Sequence, residues 1–349
     1  SSDGRTILAI NNEYTNLGIM YGNRASKKPE TTEDVSKGQA AIGVTIMEVS
    51  EANERWSIVI DSPFNRRITA TTLTELTGPA AGHKLVHTDF DPIGNSPVGT
   101  LNNCGSGKTP WGTYLSCEEN FNSFFASSEF GYNPSVDMKR YGLKSEDRGF
   151  GWHNIDQRFD LSLHPNEANR FGYILEIDPL NPDTPPKKLS ALGRFKHENA
   201  ALVINHDNRV VVYMGDDESG EFLYRFVSDA TYSPRGDNTH ILETGSLYAA
   251  KFQDTARGYW IELTPETTGM DSQAAISVYT RQAGSLVGAT TMDRPEWIAI
   301  PPDDSAVYCC LTNNKHRGKK ANAGGDATPV GGPNPRVSNK YGQIIRWQP

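Results

Sequence analysis

The sequence is short of the features that mark several large classes of protein. It has only four cysteines in 349 residues, too few for a disulfide scaffold, and two of them, Cys309 and Cys310, are adjacent. No apolar run is long enough to span a bilayer. Acidic residues outnumber lysine and arginine, 42 to 34, whereas a phosphate backbone requires a basic surface. We therefore expect neither a membrane nor a nucleic acid as a partner.

Helical periodicity is also scarce. Only Ser272–Gln282, which opens near Asp271 as its cap, and a single turn at Thr71–Leu76 are predicted to be helical. The predicted strands, separated by turn residues, are Thr6–Ile10, Trp56–Ile60, Trp111–Ser116, Tyr173–Ile177, Ala200–Ile204, Val210–Met214, Phe222–Phe226, Ser246–Phe252, Tyr259–Leu263, Trp297–Ile300 and Ala306–Leu311. Many short strands without intervening helices predict an all-β sandwich, barrel or propeller.

Two segments repeat one hairpin pattern, in which a carboxylate is followed by a strand, an aspartate turn and a second strand. The first runs from Glu198 through the turn His206–Asn208, and the second runs from Glu296 through Pro302–Asp304. This repeat favours a β-propeller, although antiparallel sandwiches also repeat hairpins. We predict a single propeller domain over residues 1–349, interrupted by an insertion at 121–165 and an extended loop at 312–340.

Both termini lie next to predicted strands. Ser1–Gly4 leads directly into the first strand, and the chain stops after Ile344–Trp347. We therefore expect the domain to be incomplete at both ends, so that the lack of a targeting signal carries no information about the compartment.

Acidic clusters recur at the ends of the predicted strands. They are Asn11–Glu13, Cys117–Asn120, His197–Asn199, Gly215–Glu218 and the mixed cluster Arg294–Glu296. Carboxylates brought together in this way repel one another unless a cation neutralises them. Only one of these clusters contains a cysteine, and none contains a close pair of histidines. This composition favours an oxygen-binding metal such as Ca²⁺ or Fe³⁺ over a histidine-rich zinc site. The simpler alternative is a set of solvated turns, because turns favour the same residues.

Two of these clusters carry more specific chemistry. Arg294 and Glu296 flank a proline, and residues i and i+2 of an extended chain point to the same face. A guanidinium would thus lie beside a carboxylate able to hold a metal, a pair suited to binding an anion. Cys117 lies beside Glu118 and Glu119, whose charges make a free thiol a poor nucleophile, whereas a metal would bind the thiolate. The alternative for Arg294 and Glu296 is an ordinary ion pair, and the alternative for Cys117 is a buried structural cysteine.

Three other motifs do not support a site. Gly105–Thr109 resembles the end of a phosphate-binding loop, but Pro110 and a predicted strand follow where a helix is required. His83 and His87 lie four residues apart without the glutamate of a metalloprotease helix between them. The G-x-S-x-G motif of serine hydrolases is absent.

Taken in order along the chain, the clusters resemble those of the PhoX-type alkaline phosphatases. The resemblance rests on Asn11–Asn16, on Pro110–Thr113 leading to Cys117–Asn120, and on His197–Asn199, Gly215–Glu218 and Arg294–Glu296. It implies a β-propeller phosphatase, exported in the folded state by the twin-arginine route, whose central site holds Fe³⁺ and Ca²⁺ bridged by oxide. It also implies that Cys117 binds iron as a thiolate. The implied metal ligands are Glu13, Cys117, Glu118, Glu198, Asp217, Glu218 and Glu296, and the implied substrate-binding residues are Arg294, which is also the catalytic residue, and Asn199.

The first hypothesis is a metal-dependent phosphomonoesterase that releases inorganic phosphate with a metal-bound oxide or hydroxide as the nucleophile. The expected partners are small phosphate esters, and the protein is expected to be a periplasmic or secreted monomer. A calcium-dependent propeller lactonase or esterase is the second hypothesis, since it needs one hard cation and no arginine. A non-catalytic propeller scaffold, in which the acidic clusters are turns, is the third.

Overall fold

A computed structural model describes residues 5–303 and 306–348. The described chain is mostly β-sheet with few and short helices, which confirms the sheet-rich class predicted from the sequence. Ser1–Gly4 and Asp304, which the sequence analysis used, lie outside the described residues. Within those ranges, no helix is long and apolar enough to cross a membrane.

The strands form four sheets, each built largely from a continuous stretch of chain. The first sheet contains β1 (Thr6–Asn12), β2 (Gly43–Ala52), β3 (Arg55–Ile58) and β4 (Arg66–Ile68). The second contains β5 (Glu75–Thr77), β6 (Asn103–Lys108), β7 (Tyr114–Glu118), β8 (Ile174–Ile177) and β9 (Lys187–Leu189). The third contains β10 (Ala201–Ile204), β11 (Arg209–Gly215), β12 (Leu223–Thr231), β13 (Gly245–Phe252) and β14 (Gly258–Glu262). The fourth contains β15 (Pro295–Ala299), β16 (Val307–Leu311) and β17 (Gln343–Trp347).

Pairing in these sheets is antiparallel except at one edge. The second sheet has the order β5-β9-β8-β7-β6, in which β5 and β9 pair in parallel. The third sheet is a meander in chain order from β10 to β14, and the fourth follows the order β15-β16-β17. In the first sheet β2 pairs with β1, β3 and β4. Consecutive antiparallel pairing places β1, β6, β10 and β15 each at one edge of its own sheet.

Along the chain, the helices occur in the connections between strands. The α-helices are α1 (Leu17–Met20), α2 (Thr32–Ala41), α3 (Val136–Arg140), α4 (Pro265–Thr268), α5 (Gln273–Val278) and α6 (Thr280–Leu286). Short 3₁₀ helices cover Lys84–Val86, Phe121–Phe124, Trp152–Asn154, Gln157–Phe159, Pro165–Arg170 and Ser190–Leu192. The capping box of α2, a helix that was not predicted from the sequence, is formed by Thr31 and Asp34.

Both helix predictions need correction. The helix predicted at Ser272–Gln282 is two helices, because Tyr279 leaves the helical conformation between α5 and α6. The N-cap of α5 is Ser272, whose side chain accepts a hydrogen bond from the amide of Ala275, and not Asp271. The turn predicted at Thr71–Leu76 is wrong, since its last two residues open strand β5.

The main core lies between the second and third sheets, where Leu115 and Ile174 pack with Val212 and Phe226. A second core is built by the 121–165 segment, whose aromatic side chains pack edge to face or tilted against one another. Residues 312–342 connect β16 to β17 without a helix or strand. The second core also includes Val35 of α2 and Phe171, so the 121–165 segment packs against residues outside it.

Adjacent sheets meet at backbone contacts that only glycine permits. A Cβ on Gly105 of β6 would lie 1.7 Å from the carbonyl oxygen of Glu198, and one on Gly215 of β11 would lie 2.3 Å from that of Pro295. Asparagines join the same edges. Asn11 of β1 donates hydrogen bonds to the carbonyls of Cys104 and Gly105, at 2.9 and 2.7 Å. These contacts bring the ends of β1, β6, β10 and β15 to one place.

Candidate metal and phosphate site

Acidic and thiol side chains from the strand ends converge where the sheets meet. Ligand atoms of Glu13, Cys104 and Glu119 lie within 4.8 Å of one another, as do those of Glu119, Glu198 and Asp217. Glu13 follows β1, Cys104 is on β6, Glu119 follows β7, and the other two flank β10 and β11. The two groups share Glu119, so they form one continuous site with contributions from three sheets.

Burial and mutual repulsion raise the pKa values of this site. The Glu119 side chain is buried. Its pKa is raised to about 9, mainly because it is buried and also because the charges of Glu198 and Asp217 lie nearby. Burial and the charges of Asp217 and Glu296 raise the pKa of Glu198 to about 7. Burial also raises the pKa of Glu13. These side chains would release their protons readily only beside positive charge.

The cysteine of the site is Cys104. Its Sγ donates a hydrogen bond to Oε2 of Glu198 at 3.4 Å. Burial, together with the charges of Glu198 and Glu119, raises the pKa of the Cys104 thiol. A thiol in these surroundings is a poor free nucleophile, but a bound metal would take it as a thiolate.

Arg294 borders the site in an unusual backbone conformation. Its Nε and Nη2 donate to the two carboxylate oxygens of Asp217 at 2.8 and 2.7 Å, and Nη2 lies 3.0 Å from Oε1 of Glu296. Its φ of 58° is in the left-handed region that residues with a Cβ seldom occupy. About a third of the side chain, 31%, is exposed, so the guanidinium remains accessible from solvent.

The donor set suits hard cations together with one that accepts sulfur. Carboxylate oxygens are the ligands of Ca²⁺, whereas iron also binds thiolate. The carboxylates of Glu13, Glu119, Glu198 and Asp217 outnumber the nearby cationic side chains, of which Arg294 pairs with Asp217 directly. An uncompensated acidic set of this kind is costly in a folded protein, which is the physical reason for expecting bound cations.

Comparison with known proteins identifies the family of this chain. The sequence model of the family described as alkaline phosphatase PhoX matches residues 1–349. This chain belongs to the alkaline phosphatase PhoX family. A similar solved structure is Pseudomonas fluorescens PhoX in complex with vanadate, a transition state analogue, with 47% sequence identity and a TM-score of 0.92. The match covers 98% of this chain and 60% of that chain. A search of the curated proteins found no match.

In this PhoX-family chain, two residues predicted as metal ligands have other partners. Cys117 of β7 points into the main core on the same face as Leu115, because alternate residues of a strand share a face. Glu118 is fully buried, and its two oxygens accept five hydrogen bonds, among them one from Lys188 at 2.8 Å and one from the amide of Gly172 at 2.8 Å. Cys117 therefore packs in the main core and Glu118 is bonded within the second sheet, and neither is among the clustered ligand atoms of the site.

Glu218 and Asn199 are also set apart from the clustered ligand atoms. Glu218 pairs with Lys196 at 2.9 Å, and although burial alone would raise the pKa of this carboxyl, Lys196 and Arg281 lower it to about 2. Asn199 is buried and exchanges two hydrogen bonds, both of 2.9 Å, with the backbone of Ile298. The Asn199 side chain, predicted to bind substrate, therefore joins the third sheet to the fourth in this structure.

The structure brings together five predicted residues, namely Glu13, Glu198, Asp217, Arg294 and Glu296. Cys104 and Glu119 are site residues that were not predicted from the sequence. Glu119 stands in a cluster that was recognised, and Cys104 follows an asparagine pair, Asn102 and Asn103, but is followed by no acidic residue. Cys104 could have been found only by recognising that β6 is a strand and that it pairs with β7, which leads to Glu119.

Proposed function

We propose that this PhoX-family chain hydrolyses phosphate monoesters in a metal-dependent reaction and releases inorganic phosphate. The observation that carries the proposal is the forked contact of Arg294 with Asp217 at the border of the acidic and thiol site. Asp217 orients the guanidinium, and Nη1 of Arg294, which has no partner among the described contacts, can donate a charge-assisted hydrogen bond to a phosphoryl oxygen. The vanadate complex of Pseudomonas fluorescens PhoX, described as a transition-state analogue complex, supports the same chemistry.

We propose Fe³⁺ and Ca²⁺ as the cations, held by Glu13, Cys104, Glu119, Glu198 and Asp217. Cys104 is the proposed iron ligand, since it is the cysteine whose sulfur contacts a carboxylate of the site. Glu296 lies beside Arg294 and is a further candidate carboxylate ligand. Such ions, when bound, supply positive charge to phosphoryl oxygens and make a water molecule a stronger nucleophile.

The chain's own residues then have separable tasks. Arg294 binds and orients the phosphoryl group, and its fixed positive charge stabilises the charge that develops on the phosphoryl oxygens. Asp217 and Glu296 orient the guanidinium through the contacts described above. Cys104 is not proposed as the nucleophile, because its hydrogen bond and its raised pKa keep it protonated unless a metal binds it.

The finer architecture is also proposed. We propose that the four sheets are blades of a β-propeller, with β1, β6, β10 and β15 as the inner strands around the site. This is supported by the chain-ordered sheets and by the glycine and asparagine contacts that join these edges. We also propose a monomer that acts on small phosphate esters in the periplasm or outside the cell, on the basis of the family resemblance.

The test is hydrolysis of p-nitrophenyl phosphate by the purified protein, before and after chelation and after Fe³⁺ and Ca²⁺ are restored, with elemental analysis at each stage. A lactone is assayed in parallel. The arginine fork favours the phosphatase over the calcium lactonase, which needs no cationic side chain. Lactone hydrolysis without phosphate release would reverse this assignment, and activity that survives complete removal of metal would refute the proposed metal dependence.

A further inference from the structure

The backbone just before Arg294 is held by the long connection between β16 and β17. Asp293 is fully buried, and its Oδ1 accepts a hydrogen bond from Nε of Arg317 at 2.6 Å. Its Oδ2 accepts one from Nδ2 of Asn339 at 2.9 Å. Both oxygens of the carboxylate are therefore engaged by the 312–342 segment.

Arg317 also holds the residue two positions earlier in the chain. Its Nη1 donates to Oγ1 of Thr291 at 3.0 Å, and its Nη2 donates to the Thr291 carbonyl at 2.9 Å. The Arg317 side chain is completely buried. Hydrogen bonds between a buried guanidinium and a buried carboxylate are strong and directional, so this contact fixes both the position and the orientation of the 291–293 backbone.

Arg294 needs such support because its own conformation is unfavourable. A left-handed φ in a residue with a Cβ persists when surrounding contacts impose it, and such strain concentrates at functional sites. The carbonyl of Arg294 accepts a hydrogen bond from the amide of Thr312 at 3.1 Å, which is the first residue of the same segment. The segment thus contacts the chain on both sides of the strained residue.

We propose that Arg317 and Asn339 are positioning residues for Arg294. Through Asp293 they hold the left-handed backbone conformation from which the Arg294 guanidinium reaches Asp217. Neither residue has a contact with Asp217 or Glu296 among those described, so their influence on phosphate binding passes through Arg294. This inference rests on the proposed phosphatase function, and it gives the long 312–342 connection a role in substrate binding.

The first experiment compares Arg317→Lys in the wild-type and Arg294→Lys backgrounds. Lysine keeps the charge and loses the fork that joins Asp293 to Thr291. In the wild-type background we expect kcat/KM to fall about tenfold and inhibition by inorganic phosphate to weaken by a similar factor. In the Arg294→Lys background the further loss should be less than about twofold, because residues that act through one another are not additive. Metal content should not change.

Arg158→Lys is the matched control. Arg158 also pairs with a carboxylate, Asp156, at 2.6 Å and donates to backbone carbonyls, those of Val98 and Ala70. It contacts none of the site residues among its described partners. We expect this variant to lose stability without a change in kcat/KM or in phosphate inhibition.

Hydrogen exchange supplies a measurement that does not depend on turnover. In Arg317→Lys we expect faster exchange of the Thr312 amide and of peptides spanning 290–296, with no change at these positions in Arg158→Lys. Asp293→Asn is the second variant, to be used if Arg317→Lys does not fold, and it should produce the same pattern. Wild-type protein without phosphatase activity would refute the proposed function, while the exchange data would still test the hold on Arg294. Unchanged exchange, or a kinetic loss that adds fully to that of Arg294→Lys, would overturn the positioning role.

Discussion

At the scale of single residues, the site depends on one guanidinium with fixed geometry. Arg294 contacts two carboxylates, Asp217 and Glu296, and its fork occupies both oxygens of the first. A lysine would keep the charge, but its ammonium lacks the planar pair of parallel N–H donors that holds both oxygens of Asp217. The planar shape of the side chain, rather than its charge alone, is therefore what the surrounding residues are arranged to hold.

The first prediction concerns Arg294→Lys. We expect kcat/KM for a phosphate monoester to fall by on the order of 10²-fold, because electrostatic stabilisation by a positioned donor is lost. Metal content should stay the same, since Arg294 is not a ligand. Steady-state kinetics combined with elemental analysis measure both. Wild-type kinetics in this variant would reduce Arg294 to a structural ion pair.

The second prediction separates Cys104 from Cys117. If iron binds the Cys104 thiolate, the protein as isolated should show a visible charge-transfer band that disappears in Cys104→Ala. Cys117→Ala should keep the band and lose stability, because Cys117 is packed in the main core. Absorption spectra and iron content of the two variants test this directly. A band that survives in the first variant and is lost in the second would restore Cys117 as the ligand.

At the scale of elements, the close approach of strands decides where the ligands lie. Gly105 lies in β6, directly after Cys104, and its backbone abuts the carbonyl of Glu198. This approach sets the distance between the thiol and the Glu198 carboxylate. The glycines that looked like part of a phosphate-binding loop in the sequence thus serve the contact between two sheets.

The third prediction concerns Gly105→Ala. The added Cβ would lie 1.7 Å from the Glu198 carbonyl oxygen, so the two sheets must separate or the strand must distort. We expect the free energy of unfolding to fall by on the order of 3 kcal/mol, as for overpacked sites, and metal content to fall with it. Gly18→Ala in helix α1 is the control, since its nearest atom would be 3.4 Å away. Denaturant unfolding of both variants is the measurement, and equal stability would contradict the close approach.

The positions of the strand ends also explain which site residues could be predicted from the sequence. Glu13, Glu198 and Asp217 were found because each flanks a strand whose apolar pattern is clear. Glu118 and Glu119 could not be told apart, because the predicted strand ended at Ser116 whereas β7 continues to Glu118. A shift of one residue at a strand end exchanges the two faces.

Cys104 was missed for a different reason. Its strand, β6, is rich in glycine and lacks the apolar alternation that marks a strand, so only its pairing with β7 reveals it. Arg317 and Asn339 are likewise invisible in the sequence, because they lie in a segment without periodic pattern and act through contacts with Asp293. Long-range contacts of this kind have no local sequence signal.

At the scale of the whole molecule, the acidic site lies at the junction of sheets and not inside one of them. Glu13 follows a strand of the first sheet, Glu119 follows one of the second and Glu198 precedes the first strand of the third, so repulsion among them acts to separate the sheets. Bound cations would replace this repulsion between carboxylates with attraction of each carboxylate to the shared ions, which would hold the sheets together. The stability of the molecule should then depend on metal more than that of a protein with one peripheral ion.

The fourth prediction concerns removal of metal. Ions that bind only the folded state stabilise it by mass action, by about 4 kcal/mol when their concentration is a thousandfold above Kd. Chelation should therefore lower the melting temperature of the wild type. The shift should be much smaller in Glu119→Gln, which removes the carboxylate common to both ligand groups and relieves repulsion as well as weakening binding. Glu218→Gln should keep the full wild-type shift, since Glu218 pairs with Lys196 outside those groups. Melting curves that coincide with and without chelator, in protein shown by elemental analysis to have lost its metal, would rule out a shared site that joins the sheets.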